Sequence, residues 1–390
     1  MLSKETIDFI TMHRNEDSRA LALQAKRYPT VDMREAVTQI EGWQIAREKL
    51  PAWATTDGII YPPRISMEQC SSEATALYKA AIANGDSLAD LTGGFGIDCS
   101  YMAHGFKRAT YIERNALLCS IAKENFTLLG LHHIDIINGN SEDILPDLSA
   151  LDWIFIDPAR RDGDGRKVVA LSDCEPDVTA LEDKLLDRAQ RVMVKCSPML
   201  DITAASRQLR NVQEIHIVAV NNECKELLFI LGKSNVDETP IICTNIRKEG
   251  AQCFSFTAHE EAEAPITYSD TVGRYLYEPN AAIQKSGCTR SLSHRMQSSK
   301  LHPNSQLYTS DKMIEDFPGR IFIVEKVCGF SKSDIKEIQS LGKANITVRN
   351  FPESVQLLRK KLKLAEGGDS YIFATTLANG NKALIICKKA

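Results

Sequence analysis

The chain has 390 residues, 43% of them hydrophobic and 25% charged, with a formal net charge of −4. That is enough for two to four domains with ordinary cores, and it excludes a disordered or fibrous class. The near-balanced charge gives no global attraction to nucleic acid or to a membrane surface, so any basic surface must be local.

Eleven cysteines are scattered from Cys70 to Cys387 with no Cys-x-x-Cys among them. This argues against a disulfide framework and against a zinc ribbon, so no metal site is expected, and it fits a reducing cytoplasm. The start, Met1-Leu2-Ser3-Lys4-Glu5, lacks the basic-then-apolar form of a signal peptide. No apolar run approaches membrane-spanning length.

Residues 1–65 read as a helical region, with Ile7, Ile10, Leu21, Leu23, Val37, Ile40 and Ile45 at helical spacings and Trp43 and Trp53 as large anchors. Gly58 and Pro62-Pro63 then break the pattern. One helix is expected over 66–84, with Ser66 and Gln69 at capping-box spacing. Strands follow over 88–91, 109–112, 134–138, 153–156 and 191–195, with helices between them at 115–129, 178–188 and 202–210. This alternation predicts a largely parallel sheet with right-handed crossovers. Strands over 214–220 and 226–231 are joined by too few residues for a parallel crossover, so an antiparallel hairpin is expected to close the sheet.

Beyond Ser234 the pattern changes. Residues 241–246 and 252–257 read as strands, 259–263 as an acidic surface turn, and Pro279 as the start of a helix. From Gly319 a last unit alternates strands and helices, with a basic helix over 355–364 and a closing strand over 383–387. The expected domains are 1–65, a Rossmann-like α/β domain over 66–265, and two small α+β domains over 266–318 and 319–390.

The stretch that organises the chain is Asp90-Leu91-Thr92-Gly93-Gly94-Phe95-Gly96, at the end of the first strand and the opening of a helix. Glycines there let the backbone turn sharply and bring its N–H groups to a ligand. A dinucleotide site wants Gly-x-Gly-x-x-Gly, but Cys99 stands in the third glycine's place. An acid just before the turn suits a cofactor with a cationic ammonium and no phosphate. The motif therefore resembles the first motif of class I methyltransferases that use S-adenosylmethionine (SAM).

In a doubly wound sheet, ligands sit outside the carboxyl ends of the strands, where Asp90, Glu113, Asp143 and Asp157 fall. Glu113 is placed to accept ribose hydroxyls and Asp143 to accept from an adenine amino group. Asp157-Pro158-Ala159-Arg160-Arg161 stands where a methyl acceptor should meet the cofactor. A carboxylate and a carbonyl held by proline can orient an amine for displacement, and the arginines can fork onto phosphate. Lys195, closing the fifth strand, is read as a partner of Asp157, as a phosphate contact or as an ordinary surface lysine.

The runs Gln69-Cys70-Ser71-Ser72-Glu73-Ala74-Thr75, Asp157–Arg161 and Lys195-Cys196-Ser197-Pro198 resemble a bacterial family of SAM-dependent methyltransferases with a C-terminal THUMP-like domain. The tail extends the likeness through Tyr277-Glu278-Pro279-Asn280-Ala281-Ala282-Ile283, Asp316-Phe317-Pro318-Gly319-Arg320, Arg349-Asn350-Phe351-Pro352 and Gly367-Gly368-Asp369. The resemblance implies a helical N-terminal part, a Rossmann-like methyltransferase domain, a ferredoxin-like domain and a THUMP-like end. It also implies RNA (tRNA or rRNA) as substrate, not DNA or a membrane. One departure matters. Amino-group methylases of bases show an aromatic after Asp/Asn-Pro-Pro that stacks on a flipped base, and here Ala159 and Arg160 occupy the last two places.

Over 341–390 nine basic residues face three acids, a net of +6 in a chain of −4 overall. Arg349, Arg359, Lys360, Lys361 and Lys363 form the candidate RNA contacts, since phosphate binding needs such asymmetry. Three other readings stand beside an RNA methyltransferase: a catalytically silent RNA-binding protein on the same scaffold, a methyltransferase for a small molecule or protein, and a nicotinamide-dependent dehydrogenase.

Overall fold

The computed structural model describes residues 2–160, 170–234 and 236–390. Arg161 and the Arg160 side chain lie outside the described residues. The chain divides into two compact units, one formed by 1–213 with 227–235 and the other by 214–226 with 236–390. Among the described residues no helix is long and apolar enough to cross a membrane.

The first unit opens with helices α1 (Lys4–His13), α2 (Ser18–Ala22), α3 (Met33–Lys49) and α4 (Pro51–Ala54). Ser3, Asp17 and Asp32 cap the first three by accepting backbone N–H groups that a helix start leaves unpaired. Leu50, Trp53, Tyr61 and Met67 are buried with Phe95, Ile97 and Ile121 in one apolar cluster, so this helical region packs directly on the glycine turn.

Where one helix is expected over 66–84, the chain forms two, α5 (Arg64–Gln69) and α6 (Glu73–Ile82). Ser72 caps α6 by accepting from Thr75 N–H, which stops α5 at Gln69 and turns Cys70-Ser71 inward. The expected Ser66 cap is absent; Pro63 precedes α5 instead.

The sheet of this unit is built from β1 (Gly85–Asp90), β2 (Phe106–Glu113), β3 (Ile134–Asn138) and β4 (Leu151–Ile156). A short ribbon follows, β5 (Ala159–Arg160) with β6 (Cys174–Glu175), and then β7 (Ala189–Cys196). The hairpin strands are β8 (Val212–Val220) and β9 (Glu223–Gly232). The order is β3-β2-β1-β4-β7-β9, parallel except for β9, which runs antiparallel to β7. The turn between β8 and β9 is Asn221–Asn222, both at positive φ (49° and 65°), the geometry that asparagine tolerates in two-residue hairpins. Crossovers are made by α7 (Ile97–Ala103), α8 (Ala116–Leu128), α9 (Ser141–Ile144) and α10 (Val178–Arg188), with α11 (Ile202–Gln208) after β7.

In the second unit β10 (Pro240–Ile246) pairs parallel with β8 and antiparallel with β11 (Gln252–Thr257). The acidic stretch expected as a turn is a helix, α12 (Ala258–Glu263), because Thr257 caps it and Glu260 and Glu261 suit its first turn. Glu261 has a structural role, accepting the N–H groups of Thr289, Arg290 and Ser291.

A seven-stranded sheet follows in the order β13-β14-β12-β15-β18-β17-β16. Its members are β12 (Tyr275–Pro279), β13 (Ser299–His302), β14 (Ser305–Ser310), β15 (Gly319–Cys328), β16 (Asn345–Arg349), β17 (Ser370–Thr376) and β18 (Lys382–Lys389). Pro279 ends a strand and does not begin a helix; α13 (Ala281–Ser286) starts two residues later, capped by Asn280. The remaining helices are α14 (Arg290–Arg295), α15 (Lys332–Ser340) and α16 (Val355–Leu362).

Candidate active site

At the carboxyl ends of β1, β2, β4 and β7 lies a cavity of about 290 Å³. The glycine turn forms its floor. Gly93 has no room for a side chain, since a Cβ there would stand 2.3 Å from the Tyr111 ring. Gly96, at φ +86°, adopts the left-handed conformation that starts α7. Tyr111 ties the turn down by donating its hydroxyl to the Gly94 carbonyl at 2.6 Å.

Asp90 is 1% exposed. Its Oδ1 accepts from Thr92 N–H at 3.0 Å, and its Oδ2 has no hydrogen-bond partner among the described residues. Burial pushes its pKa well above the usual carboxylate range; the Thr92 N–H opposes this and the charges of Asp98 and Asp157 add to it. Glu113, at the end of β2, is fixed by Gly94 N–H at 2.9 Å and Asn115 N–H at 2.8 Å. A carboxylate has about four acceptor positions, so capacity remains.

Asp143 does not line the cavity; it is exposed on α9, and its neighbours Asn140, Ser141 and Glu142 form that wall. Thr92 accepts from the Asp157 N–H at 2.7 Å, which fixes the loop after β4 to the glycine turn. Pro158 is half-buried behind the lining residues Asp157 and Ala159.

Lys195 Nζ lies 2.5 Å from Asp157 Oδ2 and 3.4 Å from Asp98 Oδ2. Asp98 is also held by Lys79, whose side chain is 0% exposed, at 3.2 Å, and by the Ser71 hydroxyl at 2.7 Å. Burial opposes its ionisation, but the ammonium groups of Lys79 and Lys195 and the Ser71 hydrogen bond outweigh this and hold its pKa below the usual value. Cys70 lines the cavity too; burial pushes its thiol up, so it is a poor thiolate nucleophile. Arg114 and Glu175 pair at 2.8 Å on the cavity wall.

Sequence reasoning missed Ser71, Lys79 and Asp98. The available signal was spacing: Lys79 follows the buried Thr75 and Ala76 by four and three residues, so it shares their inward face.

The candidate RNA residues are more dispersed. Arg349 is paired with buried Glu278 at 2.7 Å, and Arg359 donates to the Ala344 carbonyl at 3.2 Å. Lys361 pairs with Glu353 at 2.6 Å, while Lys360 and Lys363 are exposed at the end of α16.

Residues 275–318 match a ferredoxin-like domain and residues 319–389 a THUMP-like domain. No curated protein matches the chain. A crystal structure of a protein designated a methyltransferase, from Porphyromonas gingivalis W83, is 35% identical and covers 100% of both chains at a TM-score of 0.90. An rRNA methylase from Streptococcus thermophilus is 15% identical and covers 42% of this chain and 96% of its own, at a TM-score of 0.32. A precorrin-6y C5,15-methyltransferase from Geobacter metallireducens GS-15 is also 15% identical and covers 48% and 96%, at 0.33. The last two are too distant to bear on substrate.

Strand order, an antiparallel closing strand and the acid-preceded glycine turn define a class I methyltransferase. The chain belongs to the same family as the P. gingivalis protein, and in it ferredoxin-like and THUMP-like domains follow the methyltransferase sheet.

Proposed function

We propose that the chain transfers the methyl group of SAM to an N–H-bearing group of a base in structured RNA, tRNA or rRNA. The observation that carries the cofactor reading is Asp90 Oδ2, a buried carboxylate oxygen with no hydrogen-bond partner among the described residues, beside a glycine turn. Such an orphan is costly unless a ligand completes it, and a cationic ammonium is the complement it lacks. In this reading Asp90 holds the ammonium of SAM and Glu113 its ribose hydroxyls. Thr92, Gly93, Gly94 and Gly96 shape the floor, and Asn140 to Glu142 take the adenine end read for Asp143. SAM supplies an electrophilic methyl group on a sulfonium centre.

Asp157 orients the acceptor. Its Oδ2 is on Lys195, and in this reading its Oδ1 accepts an acceptor N–H. Pro158 stiffens this loop, and Arg160 is assigned a phosphate contact from its residue type alone. The case for RNA rests on the +6 charge of the tail and the exposure of Lys360, Lys361 and Lys363.

Calorimetry tests the cofactor, with SAM or its demethylated product binding expected; tight NADH binding without SAM binding overturns the reading. Tritium transfer from labelled SAM to RNA of cells lacking the gene, followed by mass spectrometry of the nucleosides, tests the acceptor. Asp157→Ala is expected to lower transfer by about 10²-fold or more, the cost of misplacing a reactant, with SAM affinity within about threefold. Full turnover by that variant moves the acceptor elsewhere.

A further inference from the structure

We propose that Ser71, Lys79 and Asp98 position Lys195, and through it Asp157, for methyl transfer; the inference rests on the reading of Asp157 as the acceptor-side carboxylate.

Four charged groups alternate along one line: Lys79, Asp98, Lys195, Asp157. The links are 3.2 Å from Lys79 Nζ to Asp98 Oδ1, 3.4 Å from Asp98 Oδ2 to Lys195 Nζ, and 2.5 Å from Lys195 Nζ to Asp157 Oδ2. They come from α6, α7, β7 and the loop after β4, elements that share no local sequence. Ser71 stands in the break between α5 and α6, donating to Asp98 at 2.7 Å and accepting from Lys79 at 3.3 Å. A fully buried lysine adds little stability of its own, since an apolar residue of similar size would fill the same space without desolvating a charge. Its position implies another use.

That use follows from the distances. Lys195 is shared unequally, close to Asp157 and farther from Asp98. Lys79 pairs with Asp98 Oδ1 at 3.2 Å and Ser71 donates to its Oδ2 at 2.7 Å, so Asp98 already has a cation and a hydrogen-bond donor of its own and competes less strongly for Lys195. With Lys79 removed, two carboxylates would share one ammonium, and Lys195 would move toward the more buried of them, Asp98. Asp157 would then be without the ammonium that fixes Oδ2 and aims Oδ1.

Other groups face Lys195 as well. They are Asp90 from β1, Cys70 from the α5–α6 break and the adjacent Cys196, with Lys49 of α3 acting on Cys70. Burial keeps both thiols protonated, so the carboxylates set the local charge.

In the transfer step the acceptor nitrogen uses its lone pair to form the N–C bond. The C–S bond breaks with its electron pair leaving on sulfur, which becomes a neutral thioether. The nitrogen then holds one proton too many, and Asp157 Oδ1 accepts it and passes it to solvent. Lys195 stays an ammonium throughout. Lys79, Asp98 and Ser71 touch no reacting atom and are positioning residues.

The test compares Lys79→Met and Ser71→Ala with the parent chain, using tritium transfer from SAM to bulk RNA of cells lacking the gene. Lys79→Met is expected to lower kcat by about tenfold or more through misorientation. KM for RNA and Kd for the demethylated cofactor stay within about threefold. The acid limb of the rate profile moves to higher pH, because carboxylates deprived of a neighbouring cation hold protons more tightly. A merely structural Lys79 would shift kcat and cofactor Kd together and leave that limb in place. Ser71→Ala is expected to act in the same direction by about threefold, and it decides the matter if Lys79→Met does not fold.

A readout free of turnover is NMR of chain labelled with ¹⁵N-lysine, with the demethylated cofactor bound. Slowly exchanging ammonium signals are expected for Lys79 and Lys195 at neutral pH, with the Lys195 signal perturbed in Ser71→Ala. Wild-type kcat and pH limb in both variants, or lysine signals that exchange like exposed ones, overturn the proposal. Asp157→Asn separates the two claims. If it retains full transfer, the acceptor reading fails; if it is inactive while both positioning variants behave as wild type, the positioning alone fails.

Discussion

Asp98 in the first unit and Glu278 in the second are each buried between two cationic side chains, and the two clusters end differently. Glu278, 1% exposed, joins strands: it lies on β12, opposite Arg320 of β15, and takes Arg320 on Oε2 and Arg349 of β16 on Oε1. Among the described residues neither arginine hands its charge on to a second carboxylate, and the cluster closes on itself. Asp98 also takes two cations, but one of them, Lys195, passes on to Asp157, which faces the cavity. The same ingredients make a fastener in one place and an aiming device in the other. What separates them is whether the chain of charges closes on itself or ends at a cavity wall.

Two substitutions should break that comparison with the largest effects. Glu278→Gln leaves two arginines without their carboxylate and is expected to cost about 3–5 kcal/mol in urea unfolding, with SAM affinity unchanged. Asp98→Asn should destabilise by a similar order, about 3–5 kcal/mol, and should also depress methyl transfer in whatever fraction stays folded. Equal loss of transfer in both would mean that Asp98 is only a second fastener.

A smaller effect is expected at Glu113. Replacing it with alanine removes the ligand-facing carboxylate and the support of the Gly94 and Asn115 N–H groups, so SAM affinity should fall by about 1–3 kcal/mol by calorimetry.

Asp90 sharpens the contrast by sign. Its folded pKa is raised, so between the unfolded carboxylate pKa and that higher value the native state holds the extra proton. Stability is therefore full below the unfolded pKa and falls as pH rises through the folded one. Asp90→Asn should raise Tm at neutral pH while weakening SAM. In the parent chain SAM binding should release a proton, read as a dependence of calorimetric heat on buffer ionisation. Asp98 has the opposite sign: its folded pKa is lowered, so its contribution is present above the unfolded pKa and is lost as pH falls through the folded one.

The smallest expected change concerns the tail. Neutralising Lys360, Lys361 and Lys363 to glutamine should reduce the slope of log K for RNA against log salt by about 0.9 for each phosphate that is no longer neutralised, borrowing the duplex DNA value. It should do so independently of RNA sequence and leave SAM affinity alone. Arg349 is left out of that set because Glu278 already holds it. Unchanged affinity and slope would remove α16 from the RNA surface.

Much of this was legible in residue order. The strands over 134–138 and 252–257 and the helix Val178–Arg188 fall where periodicity and flanking breakers put them, because their apolar spacing and caps are local signals. The break at Cys70–Ser72 was not legible. A capping serine inside a run of helix formers competes with helix continuation; here Ser72 caps α6, and Ser71 donating to Asp98 adds a tertiary contact that the continuous helix would forgo. The α12 helix was hidden in the same way, since its acids read as a turn until Glu261 is seen holding the start of α14.

By itself the sequence determined the glycine turn, the positions of Asp90, Glu113 and Asp157 at strand ends (though not that of Asp143) and the antiparallel strand closing the sheet, because each depends on neighbours a few residues away. Only the tertiary structure decided which charges meet. Lys79 and Asp98 are 19 positions apart and Lys195 lies 97 beyond Asp98, so no local pattern links them. Their pairing comes from the packing of α6 on α7, which sets Lys79 beside Asp98, and from Lys195 at the end of β7 reaching the same carboxylate. In that dry space a lysine must find a carboxylate, and the carboxylate it finds aims the site.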